Sequence, residues 1–155
     1  MKLRIVALGQ RLPSWVDAGV AEYLRRLPRE FAAELVEIKA EPRDRGRTVA
    51  QMLAAEARRV AAATQGFRTV ALDEKGQSWT TAQLAARLCR WQERAEPVAF
   101  VIGSADGLSA EVKRQADAVV ALSALTFAHG VARVMLAEQL YRAASMLAGH
   151  PYHRA

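Results

Sequence analysis

The sequence predicts a three-layer α/β domain built on a mostly parallel sheet, and three observations lead to it. Short apolar, β-branched runs alternate along the chain with amphipathic stretches of helical length. One of those runs, Pro97 to Ile102, is apolar throughout, as in a strand covered on both faces. The chain has 155 residues, 52% hydrophobic and 25% charged, with 9 Gly and 5 Pro, which leaves little room for low-complexity segments. Residues 1–155 therefore read as a single domain, long enough to bury roughly two thirds of its unfolded surface without disulfides or metals.

Taken in order, Leu3 to Leu8 is a first strand, and Gly9 to Pro13 turns into a helix capped by Ser14 that runs to about Leu27, where Pro28 stops it. Ala32 to Lys39 alternates Leu35, Val36 and Ile38 with Glu34, Glu37 and Lys39 as a partly exposed second strand. A charged loop from Glu41 to Arg47 precedes an Ala-rich helix over Val49 to Ala63, ending near Gly66. Phe67 to Leu72 is a third strand, Thr80 to Glu93 a helix capped by Thr80 or Thr81, and Pro97 to Ile102 the fourth strand. After Gly103 to Gly107 come a short helix over Ala110 to Gln115, a fifth strand over Ala118 to Leu122, and a long helix from about Gly130 to Leu147.

The 22 Lys plus Arg against 16 Asp plus Glu give a net charge of +6 and favour a polyanionic partner such as nucleic acid, although charge alone fits a solvated basic surface equally well. Arg43, Arg45, Arg47 and Arg58 fall in and just after the charged loop, where solvated side chains and phosphate contacts are both open readings. The lone cysteine, Cys89, excludes an internal disulfide and a cysteine-based zinc cluster and fits a reducing compartment. Met1 to Leu12 mixes Lys2, Arg4 and Gln10 into short apolar pieces and lacks the continuous apolar region of a signal peptide, so a cytoplasmic location is expected.

The loop Gly103-Ser104-Ala105-Asp106-Gly107 sits at the carboxyl end of the most apolar strand, where open α/β sheets bind their ligands. It is neither a dinucleotide fingerprint nor a P-loop, which disfavours nicotinamide enzymes and P-loop nucleotidases. No Ser-His-Asp order, paired-carboxylate pattern or metal-ligand cluster stands out, so hydrolase and metalloenzyme readings lack support. Trp15, Trp79 and Trp91 lie in or beside amphipathic helices and read as core or interface anchors.

The last helix carries more. Of the 18 residues from Val131 to Ala148, 13 are hydrophobic, more than a one-sided surface helix requires. At about 100° per residue Glu138, Gln139, Arg142 and Ser145 form one polar stripe, and Arg133 lies opposite it with His129 on its own side. An unpaired buried arginine is disfavoured by several kcal/mol, so Arg133 should meet a carboxylate, a carbonyl cluster, a ligand or a partner subunit. Glu138 and Arg142 have the favourable i,i+4 order of an ordinary surface pair. The tail His150-Pro151-Tyr152-His153-Arg154 combines stacking surfaces with phosphate-binding charge, although on residue types alone a frayed terminus is the simpler reading.

Two stretches and the tail resemble the RlmH family, the ribosomal large-subunit pseudouridine N3-methyltransferases of the SPOUT class. They are Leu122-Ser123-Ala124-Leu125-Thr126 followed by His129, Arg133 and Ala137-Glu138-Gln139-Leu140-Tyr141-Arg142-Ala143, and then His150-Pro151-Tyr152-His153-Arg154. Met1-Lys2-Leu3, Glu22-Tyr23-Leu24-Arg25-Arg26 and Leu72-Asp73 also match, so the resemblance spans the chain. It implies a C-terminal trefoil knot, an exception to the rule that chains do not thread their own loops. It implies a homodimer acting on 23S rRNA of the large ribosomal subunit, with S-adenosyl-L-methionine as methyl donor and neither metal nor membrane involved.

The resemblance places the donor against Leu72, Gly103 and the knot residues Leu122, Ser123, Ala124, Leu125, Thr126 and Phe127, with the partner completing the site. Its candidates for work on the base are His129, Arg133, Arg142, Tyr152, His153 and Arg154. Imidazole titrates near neutrality, so His153 or His129 is assigned to proton handling, and Tyr152 and Arg154 to substrate placement. Gly103-Ser104-Ala105-Asp106-Gly107 stands where the family commonly has Gly-Gly-Pro-Glu-Gly, and Ala128 and Gly130 replace frequent prolines. Such losses cost about 0.4 to 1 kcal/mol of preorganisation per site. The rival readings are a SPOUT enzyme acting on transfer RNA or another ribosomal nucleotide, and a non-catalytic ribosome-binding factor.

Overall fold

The computed structural model describes residues 1–42 and 46–153. Strands β1 (Lys2–Leu8), β2 (Ala32–Ile38), β3 (Arg68–Ser78), β4 (Val98–Ile102) and β5 (Ala118–Ala121) form one sheet in the order β2-β1-β4-β3-β5, and each pairing is parallel. Parallel neighbours need crossover connections, which α1 (Ser14–Arg26), α2 (Val49–Ala63), α3 (Thr81–Glu93), α4 (Ala110–Gln115) and α5 (His129–Leu147) supply. Successive side chains of a strand point to opposite faces, so Ile5, Val70 and Phe100 pack with Val16 of α1, Leu88 of α3 and Leu136 of α5. Their neighbours Val6, Ala71 and Val101 pack on the other face with Val60 of α2 and Val112 of α4. This is the expected three-layer α/β arrangement.

Most boundaries follow from local chemistry. Capping boxes start α2 (Thr48 with Gln51) and α3 (Thr80 with Gln83), which makes Thr80 the cap of the two threonines considered. Ser14 does not cap α1. Pro13 takes the capping position with φ −53°, its carbonyl accepts from the Val16 N–H at 2.9 Å, and no side chain caps that end.

Strand β3 departs most from expectation, running on to Ser78 instead of ending at Leu72. Leu72 and Gln77 both face Val120 of β5, so the residues between them bulge out of the ladder at its carboxyl end. Gly76 permits this, because a Cβ there would lie 2.6 Å from the Val120 nitrogen. Strand β5 stops at Ala121 and leaves Leu122 to the following loop.

Helix α5 is covered from two sides. Val134 approaches Gly19 of α1, and the Thr81 hydroxyl of α3 donates to Gln139 at 2.7 Å. Between these neighbours Leu136, Ala137, Leu140 and Ala143 are fully buried, and each leucine contributes about 1.5 to 3 kcal/mol. The polar stripe is thus no solvated face: Ser145 is buried too, its hydroxyl donating to the Arg142 carbonyl at 2.8 Å. Of the tryptophans, Trp91 is core, edge-on to Phe100, whereas Trp15 is 56% exposed at the start of α1.

Candidate functional site

A cavity of about 710 Å³ opens at the carboxyl ends of β3 and β4 and the amino end of α5. Its apolar wall comes from Leu72, Ile102, Leu122, Leu125 and Phe127, and its polar rim includes Asp73, Glu74, Asp106 and Lys113. Leu72, Gly103, Leu122, Ser123, Leu125, Thr126 and Phe127, all expected to hold a ligand, line it together. Ala124 is an exposed residue of the same segment outside the wall.

The β3 bulge forms one side. The Lys113 ammonium and the Lys75 N–H both donate to Asp73 at 2.8 Å and hold its carboxyl below the usual carboxylate range, while burial opposes them. The Thr126 hydroxyl donates to Glu74 at 2.7 Å and ties the bulge to the loop after β5.

The glycine loop forms the other side. It curls into a tight turn in which the Gly107 N–H donates to the Ser104 carbonyl at 2.8 Å, and a Cβ on Gly103 would lie 2.5 Å from the Gly107 carbonyl carbon. The Ser104 hydroxyl donates at 3.1 Å to Glu56, a buried carboxylate of α2 that also accepts the Glu41 N–H at 2.8 Å.

At the amino end of α5, His129 Nδ1 lies 2.7 Å from the Gly103 carbonyl, and Arg133 Nε lies 2.7 Å from His129 Nε2. A carbonyl only accepts and a guanidinium only donates, so the ring is neutral with its proton on Nδ1. Burial, then the Arg133 charge, pushes the imidazole below its usual range. Arg133 is fully buried, and its remaining nitrogens donate to Glu37 of β2 at 2.6 Å and to the Gly9 carbonyl after β1 at 2.8 Å. The partner that Arg133 required is thus a carboxylate with a carbonyl and an imidazole. Both nitrogens of His129 are occupied, which leaves His153 the better placed of the two histidines for proton handling.

The other candidates gather at the opposite end of α5. The Arg142 guanidinium donates to Glu138 at 2.7 to 2.8 Å and lies 4.9 Å from the Tyr152 ring, whose hydroxyl donates to Glu138 at 3.2 Å. Pro151–His153 form a 3-10 turn that packs on α5, with the Tyr152 ring 4.5 Å from that of Tyr141, so this segment is not frayed. Burial and hydrogen bonding, with the Glu138 charge adding to them, hold the Tyr152 phenol up to about 12. His153 Nδ1 is buried with no hydrogen-bond partner among the described residues. Arg154, and Arg43 and Arg45 of the charged loop, lie outside the described residues.

The family profile described as "Predicted SPOUT methyltransferase" matches residues 1–153. The chain belongs to the SPOUT methyltransferases. Relatives from Burkholderia ambifaria (strain MC40-6) and Nitrosospira multiformis, each named "Ribosomal RNA large subunit methyltransferase H", are 51% identical over 156 residues and align over the full length of both chains. Among solved structures, a "putative methylase family protein from Neisseria gonorrhoeae" has a TM-score of 0.54 at 16% identity, covering 90% of this chain and 81% of that one. The "tRNA (m1G37) methyltransferase from Aquifex aeolicus" has a TM-score of 0.52 at 13% identity, covering 90% and 70%. These two likenesses concern the fold alone.

A SPOUT methyltransferase requires a methyl donor, and two acidic residues bonded to groups beside the cavity, Glu37 to Arg133 and Glu56 to Ser104, escaped sequence reasoning. Glu37 is one of the polar positions of an alternating, partly exposed strand, and the signal for it is that a carboxylate is among the partners a buried Arg133 could take. Glu56 is a glutamate in an otherwise Ala-rich helix, and no local pattern marks it as buried. Among the described residues no group of three or more His, Cys, Asp or Glu could hold a metal ion, and no helix is long and apolar enough to cross a membrane.

Proposed function

We propose that this chain is an S-adenosyl-L-methionine-dependent methyltransferase that acts as a homodimer on N3 of a pseudouridine in 23S rRNA, on the assembled large ribosomal subunit in the cytoplasm. The observation that carries the proposal is the cavity at the strand carboxyl ends, in a chain with full-length relatives named for methylation of large-subunit rRNA.

The cavity suits that donor. Its volume falls in the usual range for small-molecule sites, and its apolar wall suits an adenine face. On its rim Asp73, Glu74 and Asp106 outnumber Lys75 and Lys113, which suits a ligand carrying a sulfonium and an ammonium against one carboxylate. When bound, the donor supplies an electrophilic methyl group on sulfur.

Geometry favours two copies. Helix α5 has 19 residues and spans about 28 Å, with the cavity at its amino end and Tyr152 and His153 at its carboxyl end, a separation that supports a cavity served by the tail of another protomer. The large apolar side chains exposed near the cavity, Trp15, Leu125 and Val131, offer a face for that copy. Each cavity would then be served by its partner's tail, and the C-terminal segment would be threaded as the family's trefoil knot.

In that setting N3 of the base becomes nucleophilic as its imide proton leaves, the N–CH₃ bond forms as the S–CH₃ bond breaks, and a thioether departs. His153 Nε2 takes the proton. Tyr152, protonated at neutral pH, donates a hydrogen bond, and Arg142 and Arg154 stabilise the negative charge that develops on the base. Arg133 acts at one remove, through His129.

The test is transfer of radiolabelled methyl from S-adenosylmethionine to ribosomes lacking the modification, followed by digestion and mass spectrometry of the product nucleoside. N3-methylpseudouridine from large-subunit RNA is expected. Label appearing in transfer RNA or in another nucleoside, or donor binding without transfer, would replace this reading with one of its rivals.

A further inference from the structure

The contacts that hold the glycine loop end on a residue outside the cavity lining. Gly103 is held by His129, His129 by Arg133, and Arg133 by Glu37, at 2.7, 2.7 and 2.6 Å in turn. The chain of contacts joins the carboxyl ends of β4, β1 and β2, three neighbours in the sheet, to the first turn of α5. Glu37 lines no part of the cavity, and its side chain is one-third exposed, whereas the Arg133 side chain has no exposure at all.

We propose that Glu37 is a positioning residue for the donor cavity: it fixes Arg133, Arg133 fixes His129 as the Nδ1–H tautomer, and His129 holds the Gly103 carbonyl and with it the turn lining the cavity. This rests on reading the cavity as the methyl-donor site. Free imidazole prefers its proton on Nε2, so the Nδ1–H form must be enforced, and here the donor on its other side enforces it. Without a fixed Arg133 the ring is free to turn or change tautomer, and Gly103 loses its donor. Ser104 keeps its separate tie to Glu56, so the loop is loosened at one anchor and stays attached at the other.

The experiment compares the full-length protein with its Glu37→Gln and Glu37→Asp variants and with Glu34→Gln, which removes a carboxylate paired with Arg4 on the same strand. Three quantities are read: the tautomer of His129 by ¹⁵N NMR of the imidazole without ligand, the affinity for S-adenosylhomocysteine by calorimetry, and KM for ribosomes. Glu37→Gln should shift His129 from pure Nδ1–H to a mixture and weaken nucleoside binding about tenfold, the lower end of what orienting partners contribute. KM for ribosomes should stay unchanged, Glu37→Asp should be intermediate, and Glu34→Gln should match wild type.

A folded Glu37→Gln protein with wild-type tautomer and affinity overturns the inference. Should Glu37→Gln not fold, Glu37→Asp decides, and wild-type values in it overturn the inference equally. Wild-type protein that binds no S-adenosylhomocysteine removes the donor-site reading itself, and the inference with it, which is a separate outcome from a ligand bound equally by all variants.

Discussion

The two ends of helix α5 hold similar side chains in opposite states. At the amino end His129 and Arg133 are saturated by two carbonyls, a carboxylate and each other. At the carboxyl end Arg142 and Tyr152 share one carboxylate and remain partly open, and His153 keeps a nitrogen with no partner among the described residues. A buried polar group with every bond made holds structure in place, whereas an unsatisfied one is costly and calls for an explanation such as a functional role or a missing partner. The proposed function follows this contrast: in it the amino end would build the cavity, and the carboxyl end would serve the substrate in a cavity of the other protomer.

The sharpest way to break the contrast is Arg133→Met, which keeps the volume but leaves Glu37, His129 and the Gly9 carbonyl without their donor. A loss of about 3 kcal/mol is expected, read as a thermal midpoint lower by roughly 6 to 12 °C. His153→Ala should do the reverse. Turnover on ribosomes should fall about 100-fold, the lower range for a lost proton acceptor, with melting temperature and donor affinity unchanged. A midpoint that drops in His153→Ala instead would make the tail a structural element.

Acid should separate the ends more gently. His129 is held below 6.5 in the folded protein, so the unfolded chain takes up the proton first as pH falls. The stability tied to neutral His129 is complete above about pH 6.5 and is lost as pH drops below that value toward the folded pKa. Melting curves should show this acid-side decline in wild type and in His153→Ala, and less of it in His129→Gln. The smallest effect is expected from Ala105→Pro. Asp106 has no positive φ and Gly107 has φ +76°, so the turn has the type I pattern that accepts proline after its first residue. A gain of about 0.4 to 1 kcal/mol in stability is expected, with somewhat tighter donor binding.

The alternation of apolar runs and helical stretches made the layers legible in the sequence, and buried strand β4 marked the sheet centre. The bulge of β3 was not legible, because it depends on Gly76 passing the backbone of a strand that lies more than 40 residues later in the chain. The cavity residues were found through family motifs, since none of Leu122, Leu125 or Phe127 bears a reactive group. Helical spacing correctly put His129 beside Arg133, but no periodicity could say that Glu37, 96 positions earlier, would complete the set. The tail was misjudged on residue types alone because its order comes from Glu138 and Tyr141, one helix away.

The division between the two ends is tested most directly by subunit complementation. A Gly103→Val protein lacks a usable cavity but keeps its tail, since a side chain there collides with the Gly107 backbone, and a His153→Ala protein keeps its cavity but lacks the tail imidazole. Each alone should be nearly inactive in methyl transfer, and mixing them under conditions of subunit exchange should restore activity, because one cavity in each mixed dimer has both parts intact. A mixture that stays inactive while mixed dimers demonstrably form would contradict a site shared between protomers.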